Sequence, residues 1–287
     1  MGSAFRAGLR LGTYLAWTLL LLPIQIAALA LNLRLARRVP VFYHRACLRL
    51  IGLHLVVRGT VATPPPVLFV SNHTSYLDIS VLSALLPVSF VAKHEVANWP
   101  LFGILAKLQR TVFVDRAARR GVHKQKSDIT ARLAEGDNLV LFPEGTSDDG
   151  VRVLPFKSAL FSAAEEPLVG RLPVVQPVSI AYTRLDGMPL GRALRPFFAW
   201  YGDMVMFPHL WRVHGLGVGT VEVEFHVPVT AAQFPSRRAL ADHCRQVIAD
   251  GIAAALAGRG GDFHLPETRA DSPDSQDSGP IAEPGRP

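Results

Sequence analysis

The sequence predicts an α/β fold: a largely parallel sheet flanked by helices, preceded by an N-terminal helical segment apolar enough to anchor in a membrane. Three observations carry this. From residue 54 to residue 229, short runs that read as strands alternate with helical patterns. The runs are β-branched and bounded by Pro, Gly, Asn or Asp. Residues 11–31, LGTYLAWTLLLLPIQIAALAL, carry no charge.

The elements follow in order. At helical rise, residues 11–31 span about 30 Å, the thickness of a hydrocarbon core. A signal peptide fits poorly, because Arg34, Arg37 and Arg38 stand where a small-residue cleavage site belongs. Pro23 and Gln25 interrupt the run, so two readings stand: a helix that crosses the bilayer, or one that lies in its interface. Arg34, Arg37, Arg38, Arg45 and Arg49 outweigh Arg6 and Arg10, which places the main domain on the cytoplasmic side of the cell inner membrane. Residues 39–53 then read as an amphipathic helix with Phe42, Ala46, Leu50 and Leu53 on one stripe. It either lies among headgroups or packs on the core.

Residues 1–53 thus form an anchor and residues 54–262 the main domain. Strands are expected at 53–59, 66–72, 88–93, 111–115, 138–142, 173–182 and 220–229. Helices are expected at 79–85, 102–109, 121–134 and 157–164, with a last amphipathic helix at 235–257. Residues 263–287 turn to Pro, Ser, Asp, Glu and Gly and are expected to be a disordered tail.

Composition narrows the partners. Hydrophobic residues make up 49% and charged residues 18%, with a net charge of +7. A basic, apolar chain suits an anionic bilayer surface. Nucleic acid is disfavoured, since neither basic–aromatic interleaving, zinc-finger spacing nor a helix-turn-helix cue occurs. Cys47 and Cys244 are far apart and neither sits in a CxxC pair, so no disulfide framework or metal-thiolate pair is expected.

Three short patterns carry chemistry. The strand PVLFVSN runs into His73, with Asp78 five positions on. A neutral imidazole past a strand end can accept a hydroxyl proton, and a carboxylate on its other ring nitrogen fixes the tautomer. NLVLF ends in Pro143, Glu144, Gly145 and Thr146, where a glycine turn lets backbone approach a ligand. TVFVD is followed by Arg116, a candidate clamp for an anionic headgroup. Each alone also describes an ordinary loop histidine, helix cap, turn or surface arginine. No G-x-S-x-G elbow, HExxH, P-loop or dinucleotide fingerprint occurs, so a hydrolase and a nucleotide cofactor are not expected.

Taken together, NHTSYLD (72–78), VFVDR (112–116), LFPEGT (141–146) with LPFK (154–157), and VVQPVSI (174–180) resemble the glycerolipid acyltransferase family. Their order and spacing match that family over roughly residues 55–230. The resemblance implies His73 as general base and Asp78 as its partner, with Arg116, Glu144, Gly145 and Thr146 holding the acceptor headgroup. Pro177 would shape the pocket. It implies acyl transfer from acyl carrier protein or coenzyme A to the free hydroxyl of a lysolipid, with no cofactor beyond that co-substrate. The acceptor implied first is 1-acylglycerol-3-phosphate, giving phosphatidic acid. One departure matters: the family's LFPEGT block is usually followed by Arg, whereas here Ser147, Asp148 and Asp149 follow. Two acids beside a phosphate are electrostatically unhelpful. This keeps lyso-ornithine lipid as the alternative acceptor, by itself or alongside 1-acylglycerol-3-phosphate, and a non-catalytic membrane-binding protein as the reading from another class.

Overall fold

The computed structural model describes residues 2–114, 121–168 and 170–259. Arg116 and the 263–287 tail lie outside them. Among the described residues the sheet has eight strands: β1 (Leu53–Gly59), β2 (Val67–Ser71), β3 (Ser89–Lys93), β4 (Val112–Val114), β5 (Leu139–Leu141), β6 (Val174–Leu185), β7 (Met188–Pro189) and β8 (Gly219–Phe225). Their order is β1-β8-β6-β2-β5-β3-β4, with β7 pairing β6. The β6-β2-β5-β3-β4 run is parallel, β8 is antiparallel to β6, and β1 is parallel to β8. The expected sheet is therefore present.

Its helices are α1 (Ala4–Ala30), α2 (Leu35–Ile51), α3 (Leu77–Leu85), α4 (Phe102–Leu108), α5 (Gly121–Ala134), α6 (Met206–Gly215) and α7 (Arg237–Leu256). They cover both sheet faces. On β2, Val67 and Phe69 join a core with Leu48 and Ile51 of α2, Val81 of α3 and Val213 of α6. Leu68 and Val70 join the other core, with Ile129 and Leu133 of α5 and Cys244 and Ile248 of α7. Burial on both faces explains why β2 reads as an unbroken apolar run. Cys47 and Cys244 are buried free thiols.

Three local readings differ from expectation. Residues 158–165 form a 3₁₀ helix rather than an α-helix. No helix was expected at α6, where Pro208 stands in the first turn and two of the buried positions are the polar His209 and His214. In α2 the buried positions are Ala36, Val39, His44, Cys47, Leu48 and Ile51. Phe42, on the expected stripe, is 59% exposed, and Leu53 opens β1 because Gly52 ends the helix in a left-handed turn.

α1 is long and apolar enough to cross a membrane. Along its length it is also tied to the main domain. Ser3 N–H donates to Gly215 O, and Arg10 Nη1 donates to the carbonyls of Ile51, His214 and Leu216. Thr18 Oγ1 meets Tyr43 OH, and Gln25 Nε2 donates to Ala36 O and Leu108 O. Its other face leaves Leu9, Leu15, Leu19, Leu20, Ile24 and Ile26 exposed.

Candidate active site

Neighbouring parallel strands β2 and β5 end side by side, with Val70 in register with Leu141. Ligands bind at such carboxyl ends. β2 delivers Asn72 and His73; β5 delivers Phe142, Pro143 and Glu144.

Asn72 locks the loop after β2 to β6. Its Nδ2 donates to Ile180 O at 3.0 Å, and its Oδ1 accepts Ile180 N–H at 2.9 Å. His73 Nδ1 lies 2.9 Å from Asp78 Oδ2. The His73 ring stacks on Phe142 at 4.2 Å and 17°. With Nδ1 committed to a carboxylate it carries the proton, and Nε2 is left with the lone pair. The side chain of His73 is 21% exposed and that of Asp78 is 0%.

Asp78 lies in the first turn of α3, where the helix dipole favours a negative charge. Its Oδ2 also accepts the N–H groups of Thr74 at 2.7 Å and Ser75 at 2.9 Å. Its Oδ1 accepts the Tyr182 hydroxyl at 2.9 Å. These four hydrogen bonds offset the cost of burying one negative charge.

Glu144 is 3% exposed. Its two oxygens accept backbone N–H groups, from His73 at 2.7 Å and from Leu154 at 2.9 Å. Burial pushes its carboxyl up to about 7; those two donors pull the other way, and Asp148 and Asp78 add to the upward push. Gly145 takes φ +75, a turn that a side chain would strain. Thr146 is exposed at the tip.

The next residues are pinned to the same centre. Asp148 N–H donates to His73 O at 3.1 Å. Ser147 Oγ donates to Trp200 O at 2.5 Å, while Trp200 N–H donates to Thr74 O at 3.0 Å. Trp200 therefore staples the loop after β2 to the loop after β5.

Beside Tyr76 and Leu77 lies a largely apolar cavity of about 170 Å³, lined also by Leu21, Phe102, Leu105 and Met206. Residues of α1, α2, α3, α4, α6 and β3 line it.

The structure thus brings His73, Asp78, Glu144, Gly145 and Thr146 together. Pro177 sits inside β6, opposite Val70 and away from the strand's end. Sequence reasoning gave no role to Tyr182, Phe142 or Trp200. Tyr182 continues the β6 alternation of Val178 and Ile180 toward one face, which was the available signal.

The comparisons decide the family. A family model described as Acyltransferase matches residues 54–181. The chain is 46% identical over 262 residues to a lyso-ornithine lipid O-acyltransferase of Brucella abortus, covering 90% of this chain and 98% of that one. The chain belongs to the glycerolipid acyltransferase family. It is 42% identical to a lyso-ornithine lipid O-acyltransferase of Rhizobium meliloti, over 84% of each chain. It is 35% identical to a 1-acyl-sn-glycerol-3-phosphate acyltransferase of Neisseria gonorrhoeae, over 72% of this chain and 78% of that one. The crystal structure of the 1-acyl-sn-glycerophosphate acyltransferase PlsC from Thermotoga maritima shares the fold, with TM-score 0.58 and 21% identity over 89% of this chain and 100% of that one. This glycerolipid acyltransferase moves an acyl group from an acyl donor to a lysolipid.

Proposed function

We propose that the acceptor is a lyso-ornithine lipid, acylated on its free hydroxyl by His73 acting as general base. The observation that carries this is the loop after Gly145. Ser147 stands where the family usually has Arg, and its hydroxyl is spent on Trp200 O. Asp148 is held against the catalytic loop through its backbone, with its carboxylate beside that of Glu144. Arg152, the candidate substitute for a phosphate clamp, is 75% exposed and lies 3.4 Å from Asp148. An acceptor bearing a dianionic phosphate is repelled there, whereas an ammonium group is attracted. Glu144 then orders the two loops rather than holding headgroup, and Gly145 and Thr146 form the turn that meets it.

In the reaction, the acceptor hydroxyl attacks the thioester carbonyl of acyl carrier protein or coenzyme A while Nε2 of His73 takes its proton. Asp78 stabilises the imidazolium. The tetrahedral oxyanion collapses, the C–S bond breaks, and the imidazolium returns the proton to the leaving thiolate. No acyl-enzyme and no further cofactor are needed. The cavity beside Tyr76 takes the acyl chain.

α1 supports an in-plane anchor. A spanning α1 would carry Arg10 and its partners in the main domain into the bilayer, along with the antiparallel, arginine-rich α2. Lying flat, it presents its exposed leucines to one leaflet. Positive flanks favour the cytoplasmic face of the inner membrane.

The test supplies a labelled acyl thioester with lyso-ornithine lipid or lysophosphatidate. We expect kcat/KM to favour lyso-ornithine lipid by at least about tenfold, the scale of one misplaced exposed charge pair. Equal rates, or a preference for lysophosphatidate, would overturn the acceptor.

A further inference from the structure

We propose that Tyr182 is a positioning residue that governs, through Asp78, how readily His73 takes and releases the acceptor's proton. The proposal rests on His73 being the general base.

Asp78 is fully buried, and its two oxygens are unequally served. Oδ2 accepts from His73 Nδ1, Thr74 N–H and Ser75 N–H. Among the described residues, Oδ1 accepts only from the Tyr182 hydroxyl, at 2.9 Å. A buried carboxylate oxygen stripped of its donor holds its charge less comfortably and competes harder for any proton nearby. The nearest shared proton is the one on His73 Nδ1. Losing Tyr182 therefore makes the imidazolium harder to discharge, which delays return of the proton to the leaving thiolate.

Two features suit Tyr182 to this task. Its ring stacks on Phe198 at 5.3 Å and 12°, and its backbone pairs with Val221 of β8, so the phenol has little freedom. Burial and the adjacent Asp78 charge both push its ionisation well above the ordinary range, so it remains a donor at every working pH. The other groups facing this centre serve different atoms. Glu144 takes His73 N–H, Asp148 reaches His73 O through its amide, and Tyr76 OH meets His209 Nδ1. None of these donates to Asp78 Oδ1 among the described residues.

The experiment uses the full chain in membranes and follows kcat and KM across pH. Tyr182→Phe keeps the ring and removes the donor. We expect kcat to fall about tenfold near neutrality with both KM values unchanged, and the acid limb of the kcat/KM profile to move up by about half to one pH unit. Phe198→Leu loosens the stack but keeps the phenol, and should leave the limb in place. Fluorotyrosine at position 182, a stronger donor of nearly the same shape, should move the limb down. An unmoved limb in Tyr182→Phe, or the same upward shift in Phe198→Leu, overturns the proposal. Full turnover in His73→Ala is a separate result, which removes the base itself.

Discussion

Glu144 and His73 are 71 residues apart in sequence and joined by a 2.7 Å hydrogen bond from the histidine's backbone N–H to Glu144 Oε1. The other carboxylate oxygen takes Leu154 N–H. One buried side chain thus sets the distance between the loop that carries His73 and the loop that follows β5.

Glu144 makes stability pH-dependent in a direction opposite to that of most carboxylates. Its folded-state value of about 7 lies above the ordinary 4.5, so the native state binds the extra proton between them. Stability from this group is present below about 4.5 and lost as pH rises through about 7. Thermal unfolding of the wild type should decline over that window relative to Glu144→Gln, which has no such titration. Gln can accept only one of the two N–H groups through its carbonyl, so the variant should also be less stable at the acid end. Parallel pH profiles for the two proteins would remove Glu144 from this role.

Substitution of His73 and of Asp78, the proposed base and its partner, separates chemistry from binding. His73→Ala should cost roughly a hundred-fold or more in kcat, with KM for the lysolipid little changed. Asp78→Asn should cost on the order of a hundred-fold or more, because an amide carries no charge to balance the imidazolium and turns an N–H donor toward the Tyr182 hydroxyl. Steady-state kinetics on membranes check both; a change confined to KM contradicts the assignment.

Ser147→Arg tests how the acceptor is read. The new guanidinium replaces the Trp200 clip and sets a cation beside Asp148. The ratio of kcat/KM for lysophosphatidate over lyso-ornithine lipid should rise about tenfold. An unchanged ratio means that position 147 does not face the headgroup.

The proposed in-plane placement of α1 makes a topological prediction. Leu19 and Leu20 are 58% and 61% exposed on α1. Replacing both by Glu should lower flotation with anionic vesicles by at least about tenfold, since each buried leucine is worth roughly 1.5–3 kcal/mol. A label at the N-terminus should react from the same side of the membrane as one on the main domain. Reaction from opposite sides would restore the spanning reading.

The fold class, the strand positions and the family were legible in local sequence. β2 and β5 are buried on both faces, so their residues are almost all apolar whatever surrounds them. His73, Asp78 and the Glu144–Gly145–Thr146 turn were legible because strand-end chemistry is written in short contiguous blocks. Tertiary structure alone decided the rest. Whether Glu144 faces ligand or backbone depends on where Leu154 and His73 come to lie. Tyr182 reaches Asp78 only because parallel pairing sets β6 beside β2. α1 looks like a span by length, and only its bonds to Gly215, Ile51, Leu216 and Leu108 show it lying along the domain. The physical reason is the same each time: a local pattern records what a residue requires of its surroundings, while long-range contacts determine which neighbour meets the requirement.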